Sequence, residues 1–257
     1  MPLLIHIPHA STKIPQHDLT DFLVSKTELN HELSRLTDWH TDELFGESWP
    51  EGITIKASVS RLVVDVERFR DDQHEPCSEF GMGATYTQTT TKKVLRNLTN
   101  VRREELLHQY YDPHHRATNH RTEELLSRHG SVMILDAHSY PTDALPTQAG
   151  CTATPEIGIG TDPFHTPAEV VEFTDKFFKN HGLSTGVNQP FSGTFVPSKY
   201  WRKDSRVRSI MIEIRRDLYL DESTASKNSN FNKIKSIIHT YRQSLSQITG
   251  SDYSSGV

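Results

Sequence analysis

Ser131-Val132-Met133-Ile134-Leu135-Asp136-Ala137-His138-Ser139 is the stretch whose reading decides the fold. Large apolar residues run from Val132 to Leu135 without a polar break, as in a strand buried on both faces. The run then ends on an aspartate and a histidine. Three further apolar runs have the same character: Leu3–Pro8, Arg208–Ile214, and Ile53–Val66, which reads as two strands or as one with a break. Between them lie stretches with helical periodicity: Thr27–Phe45, Asn100–His129, Thr166–His181 (opening on Thr-Pro-Ala-Glu and closing at Gly182) and Asn230–Ile248. Buried strands separated by helices predict an α/β fold with a mixed, partly parallel sheet flanked by helices. Phe69–Asn97 lacks periodicity and predicts a long loop, which in a compact domain is usually functional or disordered.

A chain of 257 residues can bury one substantial core, and no composition break divides it. The expectation is a single catalytic domain over 1–249, followed by a small polar tail, 250–257, that is disordered. A net charge of −5 without any Lys/Arg run argues against a nucleic-acid or anionic-membrane partner. It leaves room for a small acidic substrate, which needs only one or two local arginines. No basic segment leads into an apolar stretch at the N-terminus, and no run approaches the roughly 20 residues needed to span a bilayer. Cys77 and Cys151 stand far apart and suit a reducing compartment, so the expected location is cytoplasmic.

In open α/β sheets, ligands bind beyond the carboxyl ends of the strands. Those ends carry Pro8-His9-Ala10-Ser11, Asp65-Val66-Glu67-Arg68 and Asp136-Ala137-His138-Ser139, and Glu213 sits between Ile212 and Ile214. Another polar cluster, Thr37-Asp38-Trp39-His40, follows the first strand. The chain has 15 histidines, but His108, His120, His129 and His181 lie in polar helical stretches and read as surface residues. A single strand-end histidine is usually a hydrogen-bonded structural residue. Two of them, His9 and His138, make a shared metal an equal reading, and His9, Asp38 and His138 could supply three ligands with a fourth position left to water. No HExxH or CxxC signature supports this locally. Gly158-Ile159-Gly160 and Gly81-Met82-Gly83 are too short for a phosphate loop. Glu213 is either paired with Arg61, Arg68, Arg215 or Arg216, or is a general base whose pKa a partly apolar site raises.

Taken in order, Pro8-His9-Ala10-Ser11, Thr37-Asp38-Trp39, Ser60 to Arg68, Tyr111 to His115, Leu135 to Ser139, Asn188 to Gly193 and Ile212-Glu213-Ile214 resemble the N-formylglutamate amidohydrolase family. The resemblance spans most of the chain. It implies kinship with zinc carboxypeptidases and aspartoacylase, hence a phosphorylase/hydrolase-like sheet and one zinc ion. It implies His9, Asp38 and His138 as ligands, with His40 or Asp42 as substitutes for Asp38. Glu213 would be general base and acid, Arg61 would face the scissile carbonyl, and Arg68 would take a substrate carboxylate. Asn188, Gly193 and Thr194 would line the substrate unless their segment is a plain turn, and His115 would stand behind the ligands. Relatives usually read Asp-x-Asn-Arg where this chain has Asp65-Val66-Glu67-Arg68, a departure that bears on the substrate and leaves the hydrolytic residues untouched. The expected substrate is N-formyl-L-glutamate or a close small anionic N-acyl amino acid. The alternatives are an aspartoacylase-like or carboxypeptidase-like hydrolase, or a non-catalytic binding protein on the same fold.

Overall fold

In the computed structural model, residues 1–47, 53–143 and 154–251 are described. In chain order the elements are β1 (Leu3–Ile7), α1 (Lys26–Leu36), α2 (Thr41–Gly46), β2 (Ile53–Lys56), α3 (Asn100–Leu106), α4 (Asp112–His129), β3 (Val132–Tyr140), β4 (Ile157–Gly160), α5 (Ala168–Asn180), β5 (Thr185–Val187), β6 (Val207–Arg215) and α6 (Phe231–Ser251). Six strands form one sheet in the order β2-β1-β3-β6-β4-β5. The pairs β1–β2, β1–β3, β3–β6 and β4–β5 are parallel, while β4 meets β6 antiparallel. This is the mixed, mostly parallel α/β fold that the sequence predicts.

Alternation along the strands sorts the side chains to two faces. Leu3, Ile5, Ile7, Met133, Leu135, Ala137, Ile210, Ile212 and Ile214 join one core with α2, α5 and α6. Leu4, Val132 and Ile134 face the other way and pack with Leu125 and Leu126 of α4.

Two expectations need correction, and a third holds with a local change of helix type. Ile53–Val66 is a strand only to Lys56. Beyond it, Val63, Val64 and Val66 are buried in a separate cluster under the long loop, and the backbone bonds to turns: Ser60 N–H to Lys13 O, Val63 N–H to Ser60 O and Asp65 N–H to Ala84 O. Apolar burial alone made that run resemble a strand. Thr27–Phe45 is two helices, broken at Thr37–His40, where His40 adopts a left-handed conformation with φ of 61°. The break persists because its carbonyls have partners outside the helix: Arg216 Nη1 donates to Arg35 O at 2.7 Å and the Tyr219 hydroxyl to Trp39 O at 2.8 Å. Asn100–His129 is continuous but passes through a π-turn at Leu107–Tyr111 before Pro113.

The stretch 69–97 has no described helix longer than the 3-10 turn Pro76–Phe80, in keeping with a long loop. Of the expected tail, Gly250 and Ser251 continue α6 and the remainder lies outside the described residues, as does Cys151. No described helix is long and apolar enough to cross a membrane.

Candidate active site

The sheet face shared by Leu4, Val132 and Ile134 turns polar toward the carboxyl ends of the strands. His6 on β1 stands in register with Asp136 on β3, and His138 with Glu213 on β6. His9 lies two residues past β1. Asp38 comes from the break between α1 and α2, where its N–H donates to His9 O at 3.0 Å. Strands with period-two alternation and one interrupted helix thus bring residues from positions 9, 38, 138 and 213 to one place.

His9 Nδ1, His138 Nδ1 and an Asp38 oxygen face one another. His9 Nδ1 is 3.3 Å from His138 Nδ1, His138 Nδ1 is 3.2 Å from Asp38 Oδ2, and His9 Nδ1 is 3.6 Å from the same oxygen. Ligands about 2.0–2.2 Å from a four-coordinate zinc stand roughly 3.3–3.5 Å from one another, so the spacing and the chemistry of this buried set fit a divalent ion. His40 and Asp42 do not join it. His40 Nε2 lies 2.9 Å from Ala225 O, and Asp42 pairs with Lys56 at 3.5 Å.

The outer nitrogens of both histidines meet carboxylates, which fixes ring orientation and tautomer. His9 Nε2 is 2.8 Å from Asp65 Oδ1, and His138 Nε2 is 3.1 Å from Asp136 Oδ1. Asp65 Oδ2 accepts from Arg61 Nε at 3.1 Å, Arg61 Nη2 at 2.8 Å and the Tyr86 hydroxyl at 2.8 Å. Asp136 is also 2.8 Å from His6 Nδ1 and accepts from Phe195 N–H at 2.8 Å, while His6 Nε2 lies 2.9 Å from His114 Nε2. Glu67 can be grouped with these acids and imidazoles into two further clusters, but their tightest spacings are those of hydrogen bonds already made. Burial disfavours the Asp38 anion, yet hydrogen bonds from His138 and His9 outweigh it and hold its carboxyl below the usual range. Burial likewise disfavours the His138 cation, and the charges of Glu67 and Asp136 outweigh it and raise the imidazole well above its ordinary value. Such a concentration of negative charge favours a bound cation.

These groups lie in a cavity of about 550 Å³ whose lining also includes Glu213, Arg61, Arg68, Gly193 and Thr194. Of the two readings of Glu213, the paired one finds no support among the described residues. Arg61 is taken by Asp65, Arg216 Nη2 by Asp38 Oδ1 at 3.2 Å, and Arg215 by Asp217, while Glu213 Oε2 has no hydrogen-bond partner. Burial pushes its carboxyl up to about 8; His138 and Arg216 oppose the shift, and the Asp38 and Glu67 charges add to it. A base poised near neutrality suits proton transfer to and from water or an amine. Residues 1–220 match the family described as N-formylglutamate amidohydrolase. The chain belongs to the N-formylglutamate amidohydrolase family.

The fold places it similarly. An N-formylglutamate amidohydrolase from Ralstonia eutropha JMP134 aligns with a TM-score of 0.81 at 22% identity, over 96% of this chain and 93% of that one. A gene product of Agrobacterium tumefaciens aligns with a TM-score of 0.67 at 20% identity, over 95% and 91%. Identities this low speak for the fold alone. No curated protein matches the sequence.

Other residues singled out from the sequence fall at varying distances from this amidohydrolase-family cavity. Arg68 lines it, and its Nε has no hydrogen-bond partner; Asp65 Oδ2 is 3.6 Å away. Gly193 lines it with φ of 91°, and Thr194 Oγ1 is 2.7 Å from Ser209 Oγ. Asn188 does not line it: its side chain is exposed, and its amide bonds Thr161. His115 also lines the cavity, with Nε2 2.8 Å from Val66 O, and it stacks on Tyr111, whose hydroxyl donates to Arg68 O at 2.8 Å. The end of the π-turn and the first turn of α4 thus each send one side chain to the backbone of residues 66–68. His108, His120, His129 and His181 are exposed. His6 and His114 were not singled out. The alternation of β1, which puts His6 on the face opposite Ile5 and Ile7, was the signal that could have found the first.

Proposed function

We propose that this chain is a zinc-dependent amidohydrolase that cleaves the N-formyl amide of N-formyl-L-glutamate, or of a close acidic N-acyl amino acid, to formate and the free amino acid. The observation that carries the reading is the convergence of His9 Nδ1, Asp38 Oδ2 and His138 Nδ1 in the cavity that also holds Glu213, whose Oε2 has no hydrogen-bond partner. Zinc held by those three residues would supply Lewis acidity, making water nucleophilic near neutral pH and polarising an amide carbonyl. Glu213 accepts a proton from the water as its oxygen adds to the formyl carbon. It then returns that proton to the amide nitrogen as the carbon–nitrogen bond breaks. Arg61, fixed by two bonds to Asp65, faces the developing oxyanion; one such donor is worth on the order of 3–4 kcal/mol. Burial opposes the charges of Arg61 and Arg68, yet Asp65 holds both guanidinium pKa values above the ordinary one. Arg68 thus stays cationic for a substrate carboxylate, and the backbone at Gly193 can approach the ligand closely.

Metal content measured beside formate release from N-formyl-L-glutamate tests this. His138→Ala is expected to lose zinc and activity together. Glu213→Gln is expected to keep zinc and lose turnover by about 10²–10⁴-fold. Full activity in Glu213→Gln overturns the base assignment. A second reading has its own support: Phe69, Phe191, Phe195 and Trp201 give the cavity more apolar wall than a formyl group needs. An aspartoacylase-like or carboxypeptidase-like substrate would use that wall, and a panel of formyl, acetyl and peptidyl amino acids separates the two readings.

A further inference from the structure

Glu67 occupies a place where a carboxylate is costly. It shares a turn with Arg68, and a free anion facing the cavity beside that guanidinium would repel the carboxylate that Arg68 is suited to bind. The side chain lines the cavity, but its carboxylate is drawn toward the outer nitrogens of the two metal-binding imidazoles. Its Oε1 lies 3.0 Å from His138 Nε2 and its Oε2 lies 3.6 Å from His9 Nε2, with the side chain 17% exposed. Glu67 is in this sense a single carboxylate spanning the outer nitrogens of both rings.

Glu67 is an addition to a set of carboxylates that already serves both rings. His9 Nε2 is served by Asp65 and His138 Nε2 by Asp136. Asp136 Oδ1 is divided between His138 and His6, and Asp65 is divided among His9, Arg61 and Tyr86. Each ligand imidazole therefore shares its carboxylate with competing donors. Anionic groups outside the ligands raise ligand basicity and hold ring orientation. Asp65 accepts the Glu67 backbone N–H at 3.1 Å, and His115 and Tyr111 reach the carbonyls on either side, so the backbone of Glu67 is held from three directions.

We infer that Glu67 is a positioning residue that braces both metal-binding histidines through their outer nitrogens, strengthening metal binding while its charge is engaged by the imidazoles. The inference rests on the metal reading above. Zinc dissociation constants measured by chelator competition on the purified full chain test it, comparing the wild type with Glu67→Gln, Glu67→Asn and His138→Ala. Both Glu67 variants are expected to bind zinc about 10- to 100-fold more weakly, with KM for N-formyl-L-glutamate nearly unchanged. A melting temperature taken in excess chelator should stay close to that of the wild type, which separates bracing from general support of the fold. A zinc constant within twofold of wild type overturns the inference. So does a fall in KM without a change in zinc affinity, which would place Glu67 against the substrate. If His138→Ala also keeps wild-type zinc affinity, the metal reading falls first and the inference with it; a loss confined to His138→Ala removes only the role of Glu67.

Discussion

Arg61 and Arg68 belong to one turn and share Asp65, but they are committed to it differently. Arg61 makes two hydrogen bonds to that carboxylate, whereas Arg68 Nε stands 3.6 Å from it and makes none. The second arginine is therefore the one available to a carboxylate from solution. Arg68→Ala should cost about 1.5–3 kcal/mol, roughly 10- to 150-fold in kcat/KM, mostly through KM. Steady-state kinetics on N-formyl-L-glutamate and on its uncharged diester check this, since the diester should lose little. Most of the candidate site was legible at this scale because polar residues at the ends of or within apolar strands are costly and conspicuous. His9, His138 and Glu213 all stood out in that way. Asp38 was not legible from its surroundings, because nothing local says that the helix breaks there. That break depends on Arg216 and Tyr219, some 180 residues further along. Glu67 is the reverse case, visible as an oddity whose orientation only the packed turn reveals.

Among the elements, the long apolar strands and the periodic helices could be read, and the short strands could not. β4 and β5 carry Gly158, Gly160 and Gly186, residues that weaken a strand reading. The glycines answer a demand from across the chain. A Cβ at Gly158 would lie 2.9 Å from Gln189 O, and one at Gly160 would collide with Gly193 O and Met211. The segment 189–195, which walls the cavity, lies against β4 through those gaps. Gly160→Ala should then destabilise by about 1–3 kcal/mol and shift the wall at Gly193. A lower urea midpoint together with raised KM is the expected pair of readings. The apolar run 57–66 was misread for a related reason: its valines are buried by the long loop, and burial looks the same in sequence whichever neighbour provides it.

For the molecule as a whole, acid lability should come in part from the face that carries the site. Burial, the leading cause in both cases, brings His115 down to about 4 and His114 well below the ordinary imidazole value. Unfolded chains protonate such rings near pH 6.5, so between there and about pH 4 the unfolded state binds more protons. Stability must fall as pH falls through that window. His115 alone accounts for roughly 2 kcal/mol lost between pH 7 and pH 5. His115→Gln, which keeps a donor for Val66 O, should show a correspondingly flatter dependence of its urea midpoint over that range.

The register that sets His138 opposite Glu213 runs unbroken from Val132↔Val207 to Tyr140↔Arg215. A slip of one residue would turn either side chain into the aliphatic layer on the far side. The two side chains therefore meet only when this strand pair is zipped in its native register. Recovery of amidohydrolase activity after dilution from denaturant should accordingly never run ahead of the closing of the central ladder.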